Sequence, residues 1–116
     1  MKKDLLVQIF AAVQGLEKCL RISRELFDPT SVRAPELGAQ LDQQERIVKQ
    51  MRRQSNRLQL YVAQEDWGNV ARCLDIIYGL NKMVRPEVTR TFSELSNGQV
   101  APGLVDVQAT AKTIYH

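Results

Sequence analysis

Three stretches of this chain return to an apolar residue at steps of three or four, a spacing that an α-helix gathers onto one face. Between Asp4 and Phe27 the stripe is Leu6, Ile9, Val13, Leu16, Leu20 and Phe27. From Pro35 to about Gln64 it is Leu37, Leu41, Gln44, Val48, Met51, Ser55, Leu58 and Val62, with polar residues at two seam positions that could fix the register of packing. The third stripe is Trp67, Val70, Leu74, Ile77, Asn81, Val84 and Val88, carried on by Phe92 and Leu95 to Ser96.

Punctuation between the stripes separates the helices. Asp4 is placed to cap the first, and Asp28-Pro29-Thr30-Ser31 ends it, because proline disfavours helical geometry in the residue before it. Residues 28–35 read as a linker, and Pro35 suits the first turn of the next helix. Gln64-Glu65-Asp66-Trp67-Gly68 reads as a tight reversal with Asp66 capping a third helix, the alternative being one continuous helix. Pro86 is expected to kink or restart that helix near Arg85. Ser96-Asn97-Gly98 and then Pro102-Gly103 stop it. Residues 104–116 fit a short amphipathic helix through Leu104, Val107, Ala111 and Ile114, and fit extended structure equally well. The expected fold is all-α: an antiparallel bundle of three to four helices over residues 1–95, with a loop and tail over 96–116.

A chain of 116 residues can bury one core, and 44% hydrophobic with 25% charged residues is ordinary for a folded domain. The net charge of +3 is too mild to make nucleic acid the default partner. Cys19 and Cys73 lie far apart, outside any CxxC spacing, and are expected to be reduced thiols in a cytoplasmic protein. The opening Met1-Lys2-Lys3-Asp4-Leu5-Leu6 has a superficial signal-peptide look, but Asp4, Gln8 and Gln14 interrupt the apolar run. It falls well short of the roughly 20 residues a spanning helix needs, so neither export nor membrane insertion is expected.

The sequence offers little for catalysis. Its single histidine is His116, so the commonest general base and metal ligand is missing from residues 1–95. Neither a Ser-His-Asp nor a Cys-His arrangement can be built there, and no glycine-rich phosphate loop or zinc-binding cysteine cluster is present. No enzyme activity, cofactor or metal is expected. Glu65 and Asp66 are better explained by helix capping than by cation binding.

Function is therefore sought on surfaces. Arg46, Lys49, Arg53 and Arg57 form a basic stripe opposite the second seam, either a solvated face or a surface for phosphate or an acidic partner. No aromatic residue is interleaved within Arg46 to Arg57 to stack on bases. In the third helix, Trp67, Val70, Cys73, Leu74, Ile76, Ile77, Tyr78, Leu80, Met83 and Val84 cover more than half the circumference. Such an arc must be sheltered on several sides, by a partner or a second copy, or by the other helices of a monomeric bundle. Trp67, Val70, Leu74, Ile77, Leu80, Met83 and Val84 are the expected partner-binding residues.

The segment Tyr61-Val62-Ala63-Gln64-Glu65-Asp66-Trp67-Gly68-Asn69-Val70-Ala71-Arg72-Cys73-Leu74 resembles the helix, acidic-tryptophan turn, helix unit of small flagellar and type III export chaperones of the FlgN and FliT kind. The likeness spans roughly residues 36–95. It implies a short cytoplasmic helical protein that binds export substrates or export-gate components, with the apolar face around Leu74, Ile77, Leu80 and Val84 as the binding surface. On that basis Leu104 to Tyr115 would be a movable cover. The expected function is a protein-binding adaptor or chaperone that takes an amphipathic helix in an apolar groove. The alternatives are a small basic helical hairpin binding nucleic acid or acting as a regulator, and a structural subunit of a helical assembly.

Overall fold

The computed structural model describes residues 2–101 and residue 104. Three helices pack together there: α1 Lys2–Leu26, α2 Ala34–Ala63 and α3 Trp67–Leu95, with no strand among the described residues. The bundle is elongated, 50 × 23 × 18 Å. No fourth helix is found among the described residues, and the expectations for the tail beyond Leu104 lie outside them. No helix among the described residues is long and apolar enough to cross a membrane.

The three stripes meet along one axis. Ile9, Val13 and Leu16 of α1, Leu41, Met51 and Leu58 of α2, and Ile77, Val84 and Val88 of α3 are buried in a common core. Gln44 is also buried, and its amide Nε2 donates to Thr91 Oγ1 at 2.8 Å and to the Glu87 carbonyl at 3.3 Å. That cross-helix pair sets α2 against α3 at one register, since a shift of either helix would strand both polar groups. Ser55, the other polar seam residue, donates instead to the Met51 carbonyl of its own helix at 2.8 Å.

The helix ends follow from local chemistry. α2 and α3 are separate helices, and Asp66 caps α3 by accepting from the Asn69 backbone N–H at 3.4 Å and from its side-chain amide at 2.7 Å. Asp66 N–H returns to the Tyr61 carbonyl and Glu65 N–H to the Val62 carbonyl, the pair of bonds that closes a Schellman end. Glu65 therefore adopts φ 56°, a left-handed conformation usually given to glycine. At the end of α3, Asn97 at φ 58° is followed by Gly98, whose N–H donates to the Ser93 carbonyl.

Two expectations are corrected. Asp4 lies within the first turn of α1, where its charge suits the positive end of the helix dipole, and does not cap it from outside. Pro86 does not restart the helix: α3 runs through it as one element. Val84, Val88, Thr91 and Phe92 are buried on both sides of the proline and hold the backbone to the core. Pro86 and Lys82, whose carbonyl loses its usual donor, are both exposed, so water can satisfy that carbonyl.

The helix pairs are joined differently. Between α1 and α2, Arg24 pairs with Asp42 and Glu45, and Arg52 binds Glu17 through two hydrogen bonds of 2.5 and 3.1 Å while its guanidinium lies over the Phe10 ring. Between α2 and α3 the links along the helices include the neutral pairs Gln44 to Thr91 and the Cys73 thiol to Gln54 at 3.6 Å, and an ion pair from the α2 N-cap, Arg33 to Glu94 at 3.4 Å, ties the end. The charges of α2 are thus spent mainly toward α1.

Candidate partner-binding groove

The broad apolar arc of α3 divides into separate environments. Val70, Ile77 and Val84 face their own core, with Ile77 at 0% exposure. Cys73 is buried beside them. Leu74 and Tyr78 are half-buried and pack against the same core. Trp67 is exposed at the start of α3, and nine steps of about 100° put it on the flank opposite Ile76. What remains for a partner is Ile76, Leu80 and Met83, where Ile76 is 39% and Met83 54% exposed and Leu80 is half-buried between them.

These side chains line the cleft between α2 and α3. Near its middle, Ile76 and Leu80 face Gln50, Arg53, Gln54 and Arg57 across a cleft of about 170 Å³. Further along, Met83, Val84 and Glu87 face Ala39, Gln40, Gln43, Gln44 and Ile47 across one of about 380 Å³. The α2 wall is thus a row of glutamines interrupted by Ile47, with arginines at one end. The spacing of Gln40, Gln43, Ile47, Gln50 and Gln54 by three or four residues keeps the row on one flank of α2.

The basic stripe is exposed at all four positions, Arg46, Lys49, Arg53 and Arg57, but its members turn to different clefts. Lys49 borders the α1/α2 cleft together with Glu17, Arg21, Arg24 and Glu45. Arg46 donates to Gln43 at 2.7 Å. Arg53 and Arg57 edge the α2/α3 groove, beside the apolar residues of α3. Two features treated as rivals at the level of sequence, an apolar face and a basic stripe, thus adjoin in one groove.

Burial pushes the Cys73 thiol above its ordinary value, and the nearby charges of Arg57 and Arg72 pull it partly back. Cys19 is likewise raised by burial, and both cysteines are free. Among the described residues, no three His, Cys, Asp or Glu side chains gather as metal ligands would.

A second apolar patch was not singled out from the sequence. Leu6, Val7, Phe10 and Ala11 of α1 line a cleft with Gln14 and Gln59, and Val7 is 62% exposed. The signal for it was slight, because Val7 falls outside the α1 stripe as a lone apolar residue. Leu60, which projects away from the α2 seam, is exposed.

The chain matches no protein-family model, no curated protein and no solved structure.

Proposed function

We propose that this chain is a non-enzymatic protein-binding adaptor or chaperone, which holds an amphipathic helical segment of another protein in the groove between α2 and α3. The supporting observation is the line Ile76, Leu80, Met83: apolar side chains at steps of four and three, left partly open on one wall of a cleft. A helix laid into that cleft would present its own i, i+3/i+4, i+7 residues to them. The likeness of residues 61–74 to type III export chaperones supports an export client as the partner. Two buried free thiols suit a reducing compartment, the cytoplasm.

Magnitude bears on how such a complex holds together. Covering what is left open of Ile76, Leu80 and Met83 contributes on the order of 3–5 kcal/mol before costs. Association costs roughly 4 kcal/mol or more. The apolar line alone is then too short for a lasting complex, and polar contacts along the rim must add to it.

The test uses substitutions that spare the core. Ile77→Asp would bury a charge at a position with no exposure and unfold the chain, so it says nothing about binding. Ile76→Glu with Met83→Glu places charges where side chains already meet water. The reading expects that double variant to keep its helical circular dichroism and to lose a partner that the wild-type chain retains in reciprocal affinity capture, while Lys49→Glu retains it. Retention of the same partner by the folded double variant contradicts the reading.

A further inference from the structure

The α2/α3 groove is charged asymmetrically, and the imbalance identifies what fits it. Arg24 is taken by Asp42 and Glu45, Arg52 by Glu17, Arg33 by Glu36 and Glu94, and Arg90 by Glu87. Arg53, Arg57 and Arg72 are exposed and have no ion pair among the described residues. Arg53 and Arg57 border the groove from α2, next to Ile76 and Leu80. Arg72 stands four residues before Ile76 on α3, one helical turn away on the same flank, so its charge lies beyond the Ile76 end of the apolar line, the end that Arg57 borders from α2. The α2 wall beyond is neutral, and Glu87 at the far end is already held by Arg90.

Resting on the reading above, we infer that the occupant is an acidic amphipathic helix: its apolar stripe lies along Ile76, Leu80 and Met83, and its carboxylates meet Arg53, Arg57 and Arg72. From Ile76 to Met83 is about 10 Å along the helix, two turns of contact, so a segment of three to four turns carries both the stripe and the flanking acids. Guanidinium groups suit carboxylates by their paired donors, and like-charged segments would be turned away by the same arginines. Phosphate would satisfy the arginines too, but a nucleic-acid backbone has no use for the apolar line between them, and no aromatic side chain stands within Arg46 to Arg57 to stack on bases.

Three synthetic helical peptides of about 18 residues with one shared apolar stripe test this, their flanks built from Glu, Gln or Lys. Fluorescence anisotropy with the full chain is expected to give binding of the Glu peptide roughly tenfold or more tighter than the Gln peptide, with the Lys peptide weakest. Arg53→Glu with Arg57→Glu should invert that order, and Ile76→Glu with Met83→Glu should abolish binding of all three, each variant checked by circular dichroism. Equal binding of the Glu and Gln peptides, lost in the Ile76/Met83 variant, overturns the acidic occupant and leaves the groove intact. Failure of every peptide to bind, or binding that survives the Ile76/Met83 substitutions, overturns the groove reading itself. A DNA duplex that binds tighter than the Glu peptide and is lost on charge reversal overturns the inference in favour of phosphate. Light scattering that shows a dimer dispersed by the Ile76/Met83 variant overturns it in favour of a second copy.

Discussion

Single residues decide the turn between α2 and α3. Asp66 satisfies one of the orphan N–H groups of α3, so Asp66→Ala should cost about 1 kcal/mol in urea unfolding. Glu65 holds a left-handed φ without being glycine. Glu65→Gly should stabilise by a few tenths to about 1 kcal/mol, the relief of backbone strain being partly offset by a looser unfolded chain. The cap at Asp66 was legible because its residue type announces it. The left-handed Glu65 was not, since glutamate carries no such preference and the conformation is imposed by the returning bonds to Tyr61 and Val62. The buried thiols set a pH trend at the same scale. Their folded pKa values lie above the ordinary 9.0, so the stability they confer is complete below that pH and is lost as pH rises through the folded value. Unfolding free energy should therefore fall as pH rises above about 9 by more in the wild-type chain than in Cys19→Ala with Cys73→Ala.

At the scale of elements, the stripes were readable because each helix keeps one face against the same core over its whole length. The restart expected at Pro86 is absent for the same reason. A proline's local cost of about 3 kcal/mol argues for a break, but the buried seam through Val84, Val88 and Phe92 outweighs it. Pro86→Ala should accordingly raise stability by about 1–3 kcal/mol without altering helix content, measured by urea unfolding and circular dichroism. The arc of α3 was legible as too wide for one neighbour, yet its division was not. Whether Ile77 or Ile76 meets water depends on where α1 and α2 lie around α3, and the periodicity of α3 alone holds no record of that. The adjacency of Arg53 and Arg57 to Ile76 and Leu80 was hidden likewise, because it joins two helices at a register that Gln44 and Thr91 help to set.

Across the whole molecule, the two sides of α2 differ in how their charges are met. Toward α1, Asp42, Glu45 and Arg52 are matched by Arg24 and Glu17, with Lys49 at the edge of that cleft, and toward α3 the wall is glutamine and arginine without an ion pair among the described residues, beside an apolar line left partly open. The core is shared by the three helices, with Ala101 and Leu104 packed against it, while Ile76 and Met83 stay open to water. The competing surface is the patch of Leu6, Val7 and Phe10 on the other side of α2. Methyl-resolved NMR of the full chain titrated with the Glu-flanked amphipathic peptide separates the two. The account predicts saturable shifts concentrated at Ile76, Leu80, Met83 and Ile47; shifts centred on Leu6 and Val7, or none at all, would contradict it.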